Sequence, residues 1–422
     1  MSQIVTQFGR EVSRLLPGRP AAARRLLLTG YQAKGLQLRL LPERGLAPSQ
    51  RLLARIAMDT MVRPLRRPDR MALVSVFLPC ELLHVLGMYP LCAEALSCYI
   101  SGAEAESGFV EYAEGAGISE TYCSYHKILL GTALSGVLPK PRLILNTSLA
   151  CDANNLTFRA VSERLNVPQF YVDVPYTPGQ EAVDYVAGQL RELVPALEAC
   201  AGRKVEPEAL REAVARTGRT TGLLRRALEW KRDHALPGDV TSDLYEIFTS
   251  HLLLGTPQAE AYARRLTADL EEAPAREGVR LLWVHTIPFY QEPVRDLLNQ
   301  NPRCRVVTCD MNYDYPPEAD PDRPIESMAR RLVYSSFNGP AERRVEAAAR
   351  LARELEADGV VWFCHWGCKG TLGAAQLART ALEAAGIPVL VLDGDGCDRA
   401  GAANGQTATR LNAFVEMLEG RK

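Results

Sequence analysis

The stretch GVVWFCHWGCKG, residues 359–370, contains both elements on which the predicted fold depends. Its first five residues are apolar and include two valines, which is typical of a short strand buried on both faces. The seven residues that follow contain two cysteines, a histidine and two glycines, a composition that suits a loop. Because parallel α/β sheets bind ligands outside the carboxyl ends of their strands, this loop is a predicted place for chemistry.

Similar apolar runs lie on either side of this strand. In the C-terminal part they are residues 279–284 (VRLLWV), 305–308 (RVVT) and 388–392 (PVLVL). Helical patterns at 341–357 and 374–385 separate them, and a last helix is predicted at 407–418. Strands that alternate with helices predict βαβ units and a mainly parallel sheet.

A second set of such runs precedes it in the chain. Strands are predicted at residues 72–78, 142–146 and 169–174, with a helix at 156–165. We therefore predict an α/β fold of two Rossmann-like lobes with parallel sheets, joined by a helical segment and preceded by an N-terminal helical region. The predicted divisions are an N-terminal helical region (1–70), a first lobe (71–200), a helical connector (201–275) and a second lobe (276–422).

Composition excludes several classes of protein. The 422 residues are 47% hydrophobic and 23% charged, as in ordinary soluble proteins, and the net charge of −1 gives no overall attraction to nucleic acid or anionic membranes. The sequence has no uncharged apolar stretch of about 18 residues and no secretory signal, so a cytoplasmic protein is expected. Thiols stay reduced there, and the eleven cysteines therefore favour metal binding or catalysis over disulfides.

Several cysteines follow predicted strands or precede a predicted helix. Three of them have Gly, Asp, Asn or Ser neighbours in turn-like contexts and are the strongest metal-ligand candidates: Cys123, Cys151 and Cys368. A second triplet at strand ends is Cys80, Cys309 and Cys364. Buried cysteine often acts as a small apolar residue, and we interpret four others in that way: Cys92, Cys98, Cys200 and Cys304.

Spacing alone does not choose the metal. Zinc sites usually contain two closely spaced pairs of ligands, and only Cys364 and Cys368 form such a pair. Single thiols far apart in sequence also suit an iron–sulfur cluster held by several strand ends. The spacing therefore leaves both zinc and iron as candidate metals.

Two histidines lie beside these thiols. His126 follows Cys123 by three residues, and His365 lies between Cys364 and Cys368. Either can be a proton donor or a hydrogen-bond donor near a cluster, half of a Cys–His nucleophile pair, or a structural residue.

Nucleotide-binding motifs are missing from the sequence. It contains no GxxxxGK[ST] motif, and no GxGxxG follows a strand, so no nucleotide is expected to bind this chain. The loop LDGDGCDRAGAANG, residues 392–405, can approach a phosphate or a cluster closely, but it matches no fingerprint. Its aspartates lack EF-hand spacing, which favours a polar turn before a helix.

These segments together resemble the 2-hydroxyacyl-CoA dehydratase D-component family, which also contains benzoyl-CoA reductase subunits, and are most similar to its double-cubane cluster branch. The resemblance covers most of the chain after residue 70. It rests on seven stretches in order: LPCELLHVLGMYP (78–90), YCSYHKILLG (122–131), SLACDANNLTF (148–158), FYVDVPY (170–176), FCHWGCKG (363–370), GIPVLVLDGD (386–395) and TRLNAFVEML (409–418).

The resemblance implies Cys123, Cys151 and Cys368 as ligands of a 4Fe–4S cluster, with one iron left open. It also implies a separate ATP-hydrolysing activator protein with its own cluster, and a dimer with an identical or related subunit. The additional thiols Cys80, Cys309 and Cys364 are then candidates for a double cubane, 8Fe–9S, that reduces a small molecule at low potential. The alternatives are a subunit for radical dehydration of a 2-hydroxyacyl-CoA and a non-catalytic electron carrier.

Overall fold

A computed structural model describes residues 3–421. Its helices are α1 (Gln3–Leu15), α2 (Pro20–Leu40), α3 (Pro48–Arg66), α4 (Glu81–Val85), α5 (Ala93–Gly102), α6 (Glu106–Gly115), α7 (Ser124–Leu134), α8 (Asp152–Leu165), α9 (Gln180–Ala201), α10 (Pro207–Asp233), α11 (Val240–Tyr245), α12 (Pro257–Glu272), α13 (Glu292–Leu298), α14 (Pro324–Val333), α15 (Ala341–Glu354), α16 (Lys369–Leu372), α17 (Ala375–Ala384) and α18 (Asn404–Glu419). Short 3₁₀ turns cover Pro68–Arg70, Asp310–Asn312 and Arg399–Gly401, and a π-helical turn covers Phe248–Leu252.

The strands form two four-stranded parallel sheets. They are β1 (Met71–Val74), β2 (Tyr89–Cys92), β3 (Leu143–Thr147), β4 (Gln169–Val172), β5 (Val279–Val284), β6 (Cys304–Cys309), β7 (Gly359–His365) and β8 (Val389–Gly394). The orders are β2-β1-β3-β4 in the first lobe and β6-β5-β7-β8 in the second. The predicted α/β fold with two parallel-sheet lobes is confirmed, whereas the three predicted boundaries between the four divisions stay predictions.

The second sheet is buried on both faces. Along β7, Phe363 packs into one hydrophobic core and its neighbour Trp362 into another. On β5, Trp283 and Leu282 divide between the same two cores. Successive strand residues point to opposite faces, so a sheet covered on both sides requires a continuous apolar run, which explains the pattern GVVWF.

The first lobe corrects the prediction at one end of its sheet. The strand predicted to continue to residue 78 ends at Val74, because its partner β2 ends at the paired residue Cys92 and continues as α5. Strand β2 itself was not predicted. Residues after Val74 therefore form a loop, and Cys80 directly precedes α4 instead of directly following a strand.

A buried ion pair joins the two halves of the chain. Glu81 of α4 accepts two hydrogen bonds from Arg331 of α14, at 2.8 and 2.7 Å, and a third from Thr217 of α10 at 2.8 Å. Burial raises the pKa of Glu81, but the charge and hydrogen bonds of Arg331 outweigh it and hold the pKa below its usual value. The contact fixes α14 against the first lobe.

Candidate functional site

A cavity of about 550 Å³ lies at the carboxyl ends of strands from both sheets. Its walls include residues that follow β1, β2 and β3 in the first lobe, and residues that follow β5 and β7 in the second. Three thiols that the sequence predicted as ligands line it: Cys123, Cys151 and Cys368. The structure therefore brings the strongest predicted triplet to one place, although the role of these thiols as ligands stays a prediction.

Each of these three cysteines is the residue that precedes a helix. Cys123 precedes α7, Cys151 precedes α8, and Cys368 precedes the short helix α16. The sulfur of Cys151 accepts the backbone N–H of Asn154 at 3.4 Å. Amide groups at a helix start favour negative charge, and such positions therefore stabilise a thiolate.

The thiols nevertheless oppose one another's ionisation. Burial raises the pKa of Cys123 well above its usual range, and the neighbouring Cys368 and Cys151 raise it further. Burial also raises the pKa of Cys151 to about 12, against the lowering effect of the Asn154 N–H. Three adjacent thiolates in a buried cavity need a compensating cation, which is the condition that bound iron satisfies. The donor set fits an iron–sulfur cluster.

A single metal ion does not fit this arrangement. Within residues 3–421, no group of three or more His, Cys, Asp or Glu side chains is placed to hold one ion. A cubane is larger than one ion, so its thiolates are spread around it. The choice of an iron–sulfur cluster over a zinc ion stays a prediction.

Both predicted histidines contact cavity thiols. The Nε2 atom of His365 lies 3.2 Å from the sulfur of Cys123, and the Nε2 atom of His126 lies 3.9 Å from that of Cys151. Burial lowers the pKa of His126 to about 4, with a smaller effect from His365, and burial also lowers the pKa of His365. Both rings are therefore neutral at pH 7, and each carries one N–H.

The tautomer of His365 follows from its other nitrogen. Its Nδ1 atom accepts the backbone N–H of Gly396 at 3.0 Å, so the ring proton is assigned to Nε2, which donates to Cys123. The loop that holds Gly396 is fixed by Asp395, whose Oδ1 accepts from Ser124 and from the N–H groups of Cys397 and Asp398, each at 2.7 Å. The glycine-rich loop thus positions His365.

The second predicted triplet lies outside the lining of this cavity. The thiol of Cys80 donates to the carbonyl of Leu78 at 3.3 Å, that of Cys309 to His285 at 3.0 Å, and that of Cys364 to Thr371 at 3.6 Å. All three are buried. Cys364 nevertheless lies close enough to Cys368 for that thiol to raise its pKa, after the larger effects of burial and Asp393. The assignment of all three as ligands stays a prediction from the sequence.

Sequence reasoning missed several residues of the cavity wall. Cys92 and Cys98, interpreted as packing residues, both line it, as do Glu94 and His285. Burial raises the pKa of Glu94 to about 7, and this carboxylate accepts from the thiol of Cys92 at 3.3 Å. Recognising strand β2, which ends at Cys92, would have placed Cys92, Cys98 and Glu94 at the cavity, whereas His285 directly follows the predicted strand β5.

A family model described as 2-hydroxyglutaryl-CoA dehydratase, D-component, matches residues 75–418. The chain belongs to this dehydratase D-component family. The matched range begins after β1 and ends within α18, so it contains every cysteine named above.

Relatives of this D-component chain are enzyme subunits by name. It is 23% identical to the (R)-2-hydroxyisocaproyl-CoA dehydratase alpha subunit of Clostridioides difficile, over 82% of this chain and 90% of that protein. It is 22% identical to the lactoyl-CoA dehydratase alpha subunit of Anaerotignum propionicum, covering 81% and 89%. A benzoyl-CoA reductase subunit of Thauera aromatica is 21% identical, covering 83% and 89%.

The family therefore includes both dehydratases and a reductase. Across residues 3–421 of this member, no helix is at once long enough and apolar enough to cross a bilayer.

Proposed function

We propose that this chain is an iron–sulfur reductase of the dehydratase family, acting on a small substrate with electrons from a separate ATP-hydrolysing activator. The observation that carries the proposal is the set of three helix-preceding thiols, Cys123, Cys151 and Cys368, around one cavity. When bound there, an iron–sulfur cluster supplies single electrons at low potential. The overall reaction adds two electrons and two protons to the substrate.

The cavity's own residues support that role. His365 donates an N–H to Cys123, which stabilises negative charge on the sulfur. The neutral ring of His126 lies beside Cys151, where its N–H is available to a substrate or to the sulfur. Aromatic and aliphatic side chains, among them Phe77, Ile247 and Phe248, line the same space and make much of its wall apolar.

The separate activator is part of the proposal because the sequence contains no GxxxxGK[ST] motif with which the chain itself would bind ATP. A partner chain, identical or related, is proposed because the relatives are themselves named as subunits of their enzymes.

The second candidate is a subunit that dehydrates a 2-hydroxyacyl-CoA. It is favoured by the names of the relatives from Clostridioides difficile and Anaerotignum propionicum, which are dehydratase subunits. The two candidates differ in substrate and in the need for a distinct partner subunit, whereas both require the same three thiolates.

The test begins with anaerobic purification and measurement of iron, acid-labile sulfide and visible absorption. Cys151→Ala is expected to abolish the cluster absorption, whereas Cys200→Ala, a half-buried thiol outside the cavity, is expected to keep it. Full iron content in Cys151→Ala would contradict the ligand assignment.

Turnover then separates the two candidates. Holoprotein, activator, ATP and a reductant are offered small unsaturated compounds or 2-hydroxyacyl-CoA esters, the latter also with candidate partner subunits. Reduction of a small compound by holoprotein and activator, without any added partner subunit, supports the first candidate. Dehydration of an acyl-CoA overturns it in favour of the second.

A further inference from the structure

Arg344 and His285 of the cavity wall have polar atoms without a hydrogen-bond partner among residues 3–421. The atoms are Nη2 of Arg344 and Nδ1 of His285, and both residues line the cavity. Burial lowers the pKa of His285 well below its usual value, and the charge of Arg344 lowers it further, so the two side chains lie near each other. Buried polar groups are nearly always hydrogen-bonded in native proteins, and this pair is therefore a candidate for contact with a ligand.

The guanidinium of Arg344 is held in place from one side. Its Nε atom donates to Oδ2 of Asp310 at 2.9 Å, and Asp310 is buried outside the cavity lining. Its Cζ atom lies 4.2 Å from the ring centroid of Phe337 and 5.6 Å from that of Trp362, both within reach of a cation–π interaction. Because the ion pair uses Nε, Nη2 and the end of the guanidinium fork are left for another acceptor.

The same carboxylate fixes His285. Oδ1 of Asp310 accepts the backbone N–H of His285 at 2.7 Å. His285 directly follows β5 and has φ of +78°, a region that residues other than glycine rarely adopt. Residues held in such conformations cluster at active sites and ligand-binding positions. Asp310 therefore anchors both members of the pair and sets their positions relative to each other.

The burial of Arg344 distinguishes it from the other cation of the wall. Lys369 also lines the cavity, but its side chain is 88% exposed and lies 3.5 Å from the carboxylate of Asp152. The side chain of Arg344 is 7% exposed. A cation shielded from water attracts an anion more strongly than an exposed one, and a guanidinium matches two oxygens that lie in one plane. The ligand that fits is therefore a small anion with such a pair of oxygens.

An apolar surface adjoins this cation. Phe337, which lies against the Arg344 guanidinium, also packs against Phe77, with the two ring centroids 4.6 Å apart. Both rings line the cavity, as does Met311. This surface suits the carbon chain of a ligand whose charged end contacts Arg344.

The pair also lies near the predicted cluster ligands. The ring centroid of His285 is 6.2 Å from that of His365, whose Nε2 atom is 3.2 Å from the sulfur of Cys123. A ligand bound by Arg344 and His285 therefore shares the cavity with these sulfurs. A fixed cation at this place reduces the repulsion between thiolates and an anionic substrate.

We propose that Arg344 and His285 form a carboxylate-binding subsite, and that the substrate is a short organic acid whose carbon chain lies against Phe77 and Phe337. The proposal rests on the proposed reductase function and names its substrate class. Arg344 binds the charge, and His285 adds one hydrogen bond. Inorganic oxyanions such as nitrate present the same pair of oxygens but have no carbon chain, so the apolar surface should favour the organic acid over them.

Binding to the anaerobically purified full chain is measured by saturation-transfer NMR. The probes are butanoate, its neutral isostere butanamide, and nitrate, which is followed by its displacement of butanoate. Butanoate is expected to bind about 10- to 100-fold more tightly than butanamide, and more tightly than nitrate. Equal affinities for butanoate and butanamide overturn the subsite. Nitrate that binds as tightly as butanoate overturns the assignment to an organic acid.

Two variants test the residue itself. Arg344→Lys keeps a charge opposite Asp310 but removes the planar fork, and is expected to weaken butanoate binding by about tenfold or more while iron content stays at the wild-type level. The control Lys369→Gln removes the exposed cation of the same cavity and is expected to change butanoate affinity by less than about threefold. Circular dichroism checks folding. Unchanged butanoate affinity in folded Arg344→Lys overturns the proposal, and the wild-type comparison of butanoate with butanamide decides it if this variant does not fold.

Failure of the proposed function looks different from failure of the subsite. A chain that holds no iron or reduces no compound, but binds butanoate through Arg344, loses the function and keeps the subsite. A chain that reduces small compounds with the same kcat/KM for an unsaturated acid and its amide, and binds butanoate no better than butanamide, keeps the function and loses the subsite.

Discussion

The imidazole of His365 lies with its Nε2 atom 3.2 Å from the sulfur of Cys123, and so connects the end of β7 to the start of α7. The N–H of Gly396 occupies the other ring nitrogen at 3.0 Å, which leaves the proton on the side of the sulfur. The contact therefore sets both the position of Cys123 and the charge that its sulfur can hold.

Replacing this donor should lower the reduction potential of a bound cluster. In His365→Phe the ring packing against Tyr125 is retained, but the hydrogen bond to Cys123 is lost. Negative charge on the sulfur is then less stabilised, and iron affinity is expected to fall by about 10- to 100-fold. Spectroelectrochemistry and chelator competition measure the two effects.

The control is His285→Phe in the same cavity, where the ring Nδ1 atom has no hydrogen-bond partner among residues 3–421. An equal fall of reduction potential and of iron affinity in both variants would contradict the prediction.

Gly367→Ala should displace Cys123 from Cys151 and Cys368. Gly367 has φ of +77°, and a Cβ atom there would lie 2.7 Å from the backbone nitrogen of Cys123. Gly386→Ala is the matched control, since its φ is +74° with open space around it. The control should lose about 1–2 kcal/mol of stability from backbone strain alone, and keep its iron. Gly367→Ala should lose more stability and also iron. If the two variants retain equal iron, the close approach does not matter for the site.

The pair Glu81–Arg331 predicts a large effect on folding. Glu81→Gln leaves the buried Arg331 guanidinium without its carboxylate, which should reduce the free energy of unfolding by about 3–5 kcal/mol. Glu163→Gln, in an exposed pair with Arg159, should cost under about 1 kcal/mol. Urea unfolding at pH 7 measures both.

The same pair should also make the free energy of unfolding depend on pH in the acid range. The pKa of Glu81 in the folded state lies below its ordinary value, so its contribution is present above that value and is lost as pH falls through the folded pKa. Acid unfolding of Glu81→Gln should therefore be less steep than that of the wild type. If the free energy of unfolding fell equally with pH in both proteins, this dependence could not be assigned to Glu81.

Asp243 should make the free energy of unfolding change with pH in the opposite direction. Burial raises its pKa well above the usual value, outweighing Lys231, while Asp239 and Glu246 raise it further. The folded state then binds the proton more tightly, so stability falls as pH rises from the ordinary value to the folded pKa. Asp243→Asn should stabilise the protein at pH 8 and much less at pH 5. Thermal unfolding at the two values measures this difference, and a gap that does not change with pH would rule it out.

Much of the second lobe could be predicted because its strands are buried on both faces. GVVWF and VRLLWV are continuous apolar runs apart from one arginine, and they became β7 and β5. Strand β2 could not be found in the same way. It is an edge strand of four residues and contains Pro90, which provides no N–H for a ladder.

The cysteines of the cavity likewise include some that could be predicted from the sequence and some that could not. Cys123, Cys151 and Cys368 have polar neighbours and precede helices, which distinguished them in the sequence. Cys98 lies in a helix that is apolar nearly all round. From sequence alone, a helix face that lines a cavity has the same composition as one that packs in a core, so its thiol could not be told from a packing residue.

A consequence for biogenesis follows from the positions of Cys123, Cys151 and Cys368 along the chain. Two of them lie within the first 151 residues and the third at position 368, with the whole helical connector between them. A ribosome-bound chain therefore presents an incomplete set of sulfurs until nearly all of it has been synthesised and both halves have closed. A cluster of the proposed kind could be completed only after that point, so its presence would mark a chain whose two halves have come together.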